Sequence, residues 1–275
     1  MHSHVSTRKT NVSHKSQTKN SRFLKKTLKA PKRKSTNVLT QSKRQMSLCI
    51  PNVPKVKNFI NGKYVDSAAT NWIPLYNPSN GEILAQVPQT TREEHLEALK
   101  GAKKAQLLWK EVPVSVRQRS CFKFIELIQK NEKELVDTIV KETGKTIADA
   151  KGDIFRGLEV LEFACGTANH MKGETLEQVS RDVDTYTYRQ PLGVVGSINP
   201  FNFPAMIPLW KIGLALTTGN SILVKPSEKC PTAALIFARL AQEAGYPDGI
   251  LQVVNGAHDT VNFMCDEADI KAVSF

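Results

Sequence analysis

Two short polar clusters hold the residues of this sequence best suited to chemistry. The first spans residues 199–202 (NPFN) and the second spans residues 225–228 (KPSE). A side-chain amide such as that of Asn202 can aim an N–H group at a developing oxyanion. A carboxylate such as that of Glu228 can accept hydrogen bonds from both hydroxyl groups of a ribose. The clusters are therefore candidates for oxyanion stabilisation and for nucleotide binding.

Both clusters also have structural explanations. Asn202 can serve as the N-cap of a following helix, with Pro204 in the first helical turn. Lys225 can be a solvated lysine at a strand end, and Glu228 can be a first-turn carboxylate that the helix dipole stabilises. Residue types and spacing alone favour these structural roles over the chemical ones.

The elements around the clusters predict where they lie. Residues 192–198 form a short apolar run with two glycines, which is typical of a buried parallel strand, and residues 221–224 form a second run. Residues 203–218 have the length of an apolar helix, and Gly219-Asn220 is a natural helix stop. Ligands bind outside the carboxyl ends of the strands in open parallel sheets. Both clusters are therefore predicted to lie at a binding edge.

The remaining chain alternates between strand-like and helix-like segments. Asn61-Gly62 lies between strand-forming residues and predicts a β-hairpin, and Thr91 with Glu94 predicts a capping box. The alternation predicts an α/β fold with a parallel, right-handed sheet, although GxGxxG and GxxxxGK[ST] motifs are absent. The further predicted elements are helices from residue 90 to Pro113, at 116–131, 132–142, 146–170, 232–244 and 260–267, and strands at 83–87, 250–254 and 270–275.

The predicted helix at residues 146–170 carries one basic residue of interest. Arg156 lies about 200° around the helix from Ile154, so it points away from the buried stripe. Asp153 and Glu159, three residues to either side, give Arg156 an exposed salt-bridge ladder as its simplest role. The predicted buried stripe consists of Ile147, Ala150, Ile154, Leu158, Leu161 and Cys165.

The formal net charge of +12 comes from one end of the chain. Residues 1–50 hold 13 of the 38 Lys and Arg residues and none of the 26 acids, and the remainder is nearly neutral. An acid-free basic start predicts a mitochondrial targeting segment at residues 1–46. The alternatives are a solvated, disordered extension, or upstream sequence before a start at Met46. The segment contains a single aromatic residue, Phe23, and no recognisable nucleic-acid-binding motif, so nucleic-acid binding is not predicted. No apolar run reaches membrane-spanning length.

The five cysteines show neither CxxC spacing nor metal-ligand spacing with the six histidines. This pattern predicts reduced thiols in a cytosolic or mitochondrial protein, and no metal site. Cys165 falls on the apolar stripe of its helix and is predicted to be a core residue.

Longer stretches around the clusters resemble the aldehyde dehydrogenase superfamily, and most closely its acylating, coenzyme A-dependent methylmalonate-semialdehyde dehydrogenase branch. The stretches that carry the resemblance are PFNFPAMIPLW, KPSE, GDIFRGLEVLEFAC and DIKAVSF. They imply an α/β, Rossmann-like parallel sheet with amino-terminal helices, incomplete at the carboxyl end. Residues 47–275 would form a partial NAD-binding domain, and the catalytic domain would be absent. Residues 184–190, which alternate like an exposed strand, would form an oligomerisation arm.

The resemblance assigns roles to individual residues. Asn202 aligns with the family's oxyanion-stabilising asparagine, and Arg156 aligns with an arginine tied to the substrate carboxylate. Asn199 replaces alanine at a mostly backbone contact, and Lys229 replaces arginine and so loses planar, bidentate geometry. The positions that align with NAD contacts are Asn199, Phe201, Lys225, Glu228 and Lys229.

No cysteine lies in the Gly-rich setting of the family's catalytic nucleophile. We therefore expect an inactive amino-terminal fragment of an NAD-dependent, CoA-acylating semialdehyde dehydrogenase of valine or pyrimidine breakdown. As in the family, the parent enzyme is expected to be homo-oligomeric and mitochondrial. The alternatives are a hydrolytic aldehyde dehydrogenase, or a non-catalytic truncated product that binds nucleotide or associates with full-length subunits.

Overall fold

A computed structural model describes Ile50 and residues 52–275. The predicted targeting extension at residues 1–46 lies outside this part of the chain, as does Cys49. Among the described residues, no helix combines the length and the apolar character needed to cross a lipid bilayer.

The described residues form ten strands and eight helices. The strands are β1 (Asn58–Ile60), β2 (Lys63–Val65), β3 (Trp72–Tyr76), β4 (Ile83–Pro88), β5 (Thr175–Ser180), β6 (Val183–Tyr186), β7 (Val194–Ile198), β8 (Ser221–Lys225), β9 (Leu251–Val253) and β10 (Ile270–Ser274). The helices are α1 (Arg92–Trp109), α2 (Val114–Lys130), α3 (Glu132–Thr143), α4 (Ile147–Cys165), α5 (Thr167–His170), α6 (Met206–Thr217), α7 (Thr232–Glu243) and α8 (His258–Asp266).

The main sheet has the strand order β10-β7-β8-β9-β1-β2. Its first four strands are parallel, which confirms the predicted α/β fold. The hairpin β1–β2 extends the sheet because β1 pairs with β9 in the antiparallel sense. Asn61 and Gly62 at its turn both have positive φ, as the predicted hairpin requires. Two further two-stranded sheets are β3–β4 and β5–β6.

Helices cover both faces of the central strands. Along β8, Ile222 and Val224 belong to the core that faces α6 and α7, whereas Leu223 belongs to the core that faces α1 and α8. This alternation follows from the period of two in a strand. Every residue of β8 is therefore buried, as the apolar run at residues 221–224 predicts.

Helix ends follow local sequence signals. Thr91 and Glu94 form the predicted capping box at the start of α1. Gly144 ends α3 in the left-handed conformation, and Thr146 caps α4 by accepting from the backbone N–H of Asp149. The chain therefore turns sharply between α3 and α4, at Lys145.

The predicted long helix at residues 146–170 is divided at Gly166 into α4 and α5. Its predicted buried stripe is correct from Ala150 to Cys165 but wrong for Ile147, which is 61% exposed. Ile147 is the first residue of α4, and the helix enters the core only one turn later, at Ala150.

Helices α4 and α6 pack closely because two glycines lie at their contact. A Cβ atom on Gly157 would lie 2.6 Å from Leu209 Cδ1, and a Cβ atom on Gly213 would lie 2.5 Å from Leu161 Cδ2. Only hydrogen fits at both positions. This contact places α4 beside the turn that leads into α6.

Strands β5 and β6 form an exposed hairpin outside the main sheet. The predicted exposed strand at residues 184–190 is correct for residues 184–186, which lie in β6, and wrong for residues 187–190, which are exposed but not part of a strand. The role of residues 184–190 as an oligomerisation arm stays a prediction.

Candidate active site

Polar residues at the carboxyl ends of β7 and β8 form the candidate site. Ile198 and Lys225 are register partners, so residues 199–202 and 225–228 leave the sheet at the same level. The prediction that both clusters lie at this edge of the sheet is confirmed.

Asn199 joins the ends of the two strands. Its backbone N–H donates to the Lys225 carbonyl at 3.0 Å, and its Nδ2 donates to the same carbonyl at 3.2 Å. Nδ2 also donates to the Ser197 carbonyl, and Ser197 Oγ donates to Asn199 Oδ1. The side chain is buried and bonded at both of its polar atoms. Any contact that Asn199 makes with a ligand therefore comes from its backbone.

Lys225 and Glu228 form an ion pair at this edge. Lys225 is only 5% exposed, and its Nζ lies 3.4 Å from Glu228 Oε2. A solvated lysine is therefore the wrong interpretation, because helices cover both faces of β8. Glu228 is also not a first-turn residue, since α7 begins at Thr232. The pair leaves a partly open carboxylate at the sheet edge, held by a buried ammonium group.

Phe201 and Lys229 lie at the rim of the site. The Phe201 ring is 54% exposed, and Lys229 Nζ lies 4.6 Å from its centroid, a distance typical of a cation–π contact. The two side chains also line a cavity of about 330 Å³ together with Glu142. An exposed aromatic ring beside an exposed cation can contact a planar or anionic ligand group.

Asn202 lies on the turn before α6 and is exposed. The N-cap interpretation is wrong, because α6 begins at Met206 and its cap position, Ala205, makes no side-chain bond. Pro204 accordingly lies outside the helix. Among residues 52–275 the side-chain amide of Asn202 makes no hydrogen bond, whereas its carbonyl accepts from Lys145 Nζ at 2.8 Å. The amide is therefore available to a ligand.

Lys145 and Asp153 are site residues that the sequence predictions missed. Lys145 Nζ donates to Asp153 Oδ2 at 3.1 Å, and Asp153 Oδ1 accepts from the backbone N–H of Met206 at 2.8 Å. Asp153 is fully buried. A signal was present, because Asp153 lies three residues after Ala150 and so falls on the apolar stripe of α4.

Arg156 lies on α4 one helical turn beyond Asp153. It is exposed, as its position opposite Ile154 predicts. Its carbonyl accepts from Trp210 Nε1 at 3.2 Å, which places it against α6. The predicted salt-bridge ladder is wrong, because Asp153 is buried and bonded elsewhere and, among residues 52–275, Arg156 forms no ion pair with Glu159. Arg156 therefore lies at the contact between α4 and α6, which we call the α4–α6 edge. The turn that contains Asn202 is held at the same contact, through the bond from Met206 to Asp153.

Lys211 is a second residue that the predictions missed. It is the one charged residue of α6, which is the signal that could have identified it. Its Nζ donates to the Ile198 carbonyl at 2.8 Å and to the Ser274 carbonyl at 3.1 Å. Burial lowers its pKa to about 8. Lys211 also lines an apolar cavity of about 620 Å³ beside β7 and β10.

Four cysteines lie within the described residues, and none is placed as a nucleophile. Cys230 Sγ lies 3.6 Å from the Phe201 carbonyl, but burial raises its pKa to about 12, so it stays a thiol. Cys121 and Cys165 are core residues, and Cys265 is exposed on α8. Within Ile50 and residues 52–275, no cluster of three or more His, Cys, Asp or Glu residues can hold a metal ion.

The family follows from the length of chain that matches a known family profile. The sequence profile of the aldehyde dehydrogenase family matches residues 64–275. The chain belongs to the aldehyde dehydrogenase family. The polar edge of β7 and β8 is therefore part of an aldehyde dehydrogenase fold, and the superfamily resemblance of the PFNFP and KPSE stretches is confirmed.

Relatives and solved structures give the branch of the family to which the chain is similar. The acylating, mitochondrial methylmalonate-semialdehyde dehydrogenase of Arabidopsis thaliana is 53% identical over 222 residues, which cover 81% of this chain and 37% of that protein. The human mitochondrial methylmalonate-semialdehyde/malonate-semialdehyde dehydrogenase (acylating) is 47% identical over 224 residues, with coverage of 82% and 42%. A Sinorhizobium meliloti protein assigned to the methylmalonate-semialdehyde dehydrogenases, crystallised with NAD, superposes with a TM-score of 0.80 at 40% identity.

The S. meliloti match covers 82% of this chain and 46% of that chain. The chain thus spans less than half of the length of these relatives. The predicted likeness to the semialdehyde branch is confirmed. The roles assigned to Asn202, to Arg156 and to the predicted NAD contacts stay predictions.

Proposed function

We propose that this chain provides the NAD-binding and oxyanion-stabilising part of a CoA-acylating semialdehyde dehydrogenase. One observation carries the proposal. The Lys225–Glu228 pair and the free amide of Asn202 leave the sheet side by side, at the carboxyl ends of adjacent parallel strands. The names of the relatives, which are acylating methylmalonate-semialdehyde dehydrogenases, support this reading.

The residues at the sheet edge fit NAD. The Lys225–Glu228 pair offers a hydrogen-bond donor and an acceptor where parallel strands end, and a ribose diol needs such partners. The negative charge of Glu228 would repel a 2′-phosphate, so the fit is to NAD rather than to NADP. The complex of the S. meliloti relative with NAD supports the same choice. Bound NAD would supply the oxidising equivalent for the aldehyde.

Asn202 would act on charge that develops at the aldehyde oxygen. When a thiolate adds to the aldehyde carbon, the carbonyl oxygen becomes an oxyanion. The amide of Asn202 is free of competing hydrogen bonds among residues 52–275 and can donate an N–H to that oxygen. One pre-organised donor of this kind typically contributes about 10²–10³-fold to kcat. The thiolate itself is not assigned to any described cysteine.

Arg156 would select the substrate. Its guanidinium is exposed at the α4–α6 edge and can bind a carboxylate in a bidentate pair. The substrate class is then a semialdehyde that carries an acidic group. Coenzyme A as the acyl acceptor is supported by the acylating relatives.

The activity is tested on the full-length product of the gene. With malonate semialdehyde and NAD, we expect NADH formation that requires coenzyme A and yields an acyl-CoA thioester. NADH formation that does not depend on coenzyme A and yields the free acid would favour a hydrolytic aldehyde dehydrogenase instead. A product that forms no NADH from any aldehyde would contradict the proposal.

A second candidate function is nucleotide binding without catalysis. It is favoured because none of the four described cysteines is placed as a nucleophile. Both candidate functions require NAD binding, and calorimetric titration of the 275-residue chain with NAD tests it. Glu228→Gln should weaken NAD binding by about 1.5–3 kcal/mol, or roughly 10- to 100-fold, the range for hydrogen bonds to charged groups. Glu243→Gln on the surface of α7 is the control and should bind NAD normally. Equal affinities in the two variants would remove Glu228 from the cofactor site.

The parent enzyme is further proposed to be a mitochondrial homo-oligomer. The exposed β5–β6 hairpin offers an arm for a second subunit, and the mitochondrial relatives support the compartment. Amino-terminal sequencing of the native protein is the test. Recovery of an intact Met1 from a cytosolic fraction would contradict the targeting proposal.

A further inference from the structure

Side chains of other elements hold the turn between β7 and α6, residues 199–205. Asn199 is fixed to β8 through the Lys225 carbonyl, and the next backbone bond joins the Ile207 N–H to the Phe203 carbonyl at 3.4 Å. Between these two points, backbone atoms bond to side chains. The partners are Cys230 for Phe201, Lys145 for Asn202 and Asp153 for Met206.

Lys145 makes three contacts at this turn. Its Nζ donates to the Asn202 carbonyl at 2.8 Å and to Asp153 Oδ2 at 3.1 Å, and it lies 5.0 Å from the centroid of the Phe203 ring. Its side chain is only 15% exposed. The ammonium group therefore fixes both the residue with the free amide and the residue after it.

Asp153 fixes the other end of the turn. Its fully buried carboxylate bonds to Lys145 with one oxygen and to the Met206 N–H with the other. A buried ion pair is weak evidence for stability, because well-packed apolar residues often serve as well. Its geometry, which brackets Asn202 from both sides, indicates a positional role.

We propose that Lys145 and Asp153 are positioning residues that hold the Asn202 amide in the orientation required for the oxyanion. The proposal rests on the proposed function, because it takes Asn202 as the oxyanion donor. Asp153 belongs to α4, and Lys145 lies in the turn just before α4. We call this pair the clamp, because it ties residues 199–205 to α4. Removing the clamp should lower kcat while leaving NAD affinity unchanged, since Lys225 and Glu228 lie on the other cluster.

The variant is chosen to avoid misfolding. Lys145→Met alone leaves the Asp153 carboxylate buried and unpaired, which is strongly destabilising. The double variant Lys145→Met/Asp153→Asn removes both charges and keeps an amide oxygen to accept from the Met206 N–H. The matched control is Lys103→Met/Asp269→Asn, which removes a surface ion pair of 2.5 Å between α1 and the residue before β10.

A double-mutant cycle separates positioning from general damage. In the full-length product, the clamp variant should lower kcat for a semialdehyde by about 10- to 100-fold, the cost of a misplaced catalytic donor. In an Asn202→Ala background the same variant should change kcat by less than about threefold, because the group that it positions is gone. The surface control should leave kcat unchanged in both backgrounds. An equal loss of kcat in both backgrounds would overturn the proposal.

A spectroscopic measurement on the 275-residue chain tests the clamp without activity. The ¹³C carbonyl shift of Asn202 reports the bond from Lys145, and the side-chain ¹⁵N amide shift reports the orientation of the donor. Both shifts should move in the clamp variant and stay constant in the control. If the wild-type full-length product oxidises no aldehyde, the proposed function fails and these shifts alone decide the clamp. Unchanged Asn202 shifts would overturn it.

Discussion

At the scale of single residues, burial decides which polar side chains stay available to a ligand. Asn199 and Asn202 are three residues apart, but Asn199 bonds to the ends of two strands while Asn202 leaves its amide free. Cys230 lies beside the same turn, and its buried thiol with a pKa of about 12 is unsuited to attack. The amide of Asn202 is therefore free to contact a ligand, and no described cysteine is placed as a nucleophile.

Arg156 gives a prediction at this scale. Arg156→Ala removes an exposed side chain, so the free energy of unfolding should change by no more than about 0.5 kcal/mol. In the full-length product, kcat/KM for a semialdehyde with a carboxylate should fall by about 1.5–3 kcal/mol, the worth of hydrogen bonds to a charged group.

Propanal is the control substrate, because it lacks a carboxylate. The ratio of kcat/KM for the two substrates is measured, since any loss of folded enzyme cancels from it. An unchanged ratio would return Arg156 to the role of a surface residue.

Glu142 gives a second prediction, which concerns pH. Its carboxylate accepts from the N–H and the hydroxyl of Thr232, the first residue of α7. Burial raises its pKa to about 7 from 4.5. The folded state then holds the proton more tightly than the unfolded state. The contribution of Glu142 to stability is therefore greatest below pH 4.5, falls as the pH rises from 4.5 to 7, and is constant above 7.

Glu142→Gln should remove this slope, because glutamine does not ionise and can still accept from Thr232. At pH 8 the variant should be more stable than the wild type by up to ~3 kcal/mol, and at pH 4.5 the two should agree. Urea denaturation at a series of pH values measures the difference. A variant with the same pH slope as the wild type would place the titrating group elsewhere.

At the scale of elements, the contact between α4 and α6 positions the site. Gly157 and Gly213 let the helices approach until Asp153 reaches Met206 and the Arg156 carbonyl reaches Trp210. Gly152 lies on the same helix, but a Cβ atom there would meet only Arg156 Nη1, at 3.6 Å. Packing therefore requires a glycine at position 157 of α4 but not at position 152.

Replacing glycine by alanine is therefore predicted to have opposite effects on stability at these two positions. Gly157→Ala should lower the free energy of unfolding by about 1–3 kcal/mol, because the methyl group overpacks against Leu209 and the Met206 backbone. Gly152→Ala should raise it by about 0.5–1 kcal/mol, because alanine favours the helix. Chemical denaturation of both variants is the measurement. Equal stabilities would mean that α4 and α6 separate to admit the methyl group.

Local signals predicted much of the fold. The hairpin at Asn61-Gly62, the capping box at Thr91 and the strands at the two clusters depend on neighbours in sequence, and all are confirmed. Lys145 and Asp153 were missed because their partners Asn202 and Met206 lie about fifty residues away in sequence. The N-cap role of Asn202 was wrong for a related reason. The side chains of Lys145 and Asp153 hold the turn there, and α6 begins only at Met206.

At the scale of the whole molecule, an aldehyde dehydrogenase fold is present while a placed nucleophile is not found among the described residues. The sheet edge and the turn of Asn202 are formed by residues of this chain. Nucleotide binding and aldehyde oxidation should therefore separate experimentally. Under the proposed function, Lys225 and Glu228 of the 275-residue chain would bind NAD, and no described cysteine is placed to supply the thiolate for oxidation.

The last prediction is that the purified 275-residue chain binds NAD and forms no NADH from any semialdehyde. Cys121, Cys165 and Cys230 are buried, and burial keeps Cys230 protonated. Cys265 is exposed on α8, which packs against α1 and β10. A thiol reagent should accordingly modify Cys265 in the native chain and reach the three buried cysteines only after denaturation, as mass mapping would show. NADH formation above a buffer control, lost when Cys230 or Cys265 is alkylated, would contradict the prediction and identify the nucleophile.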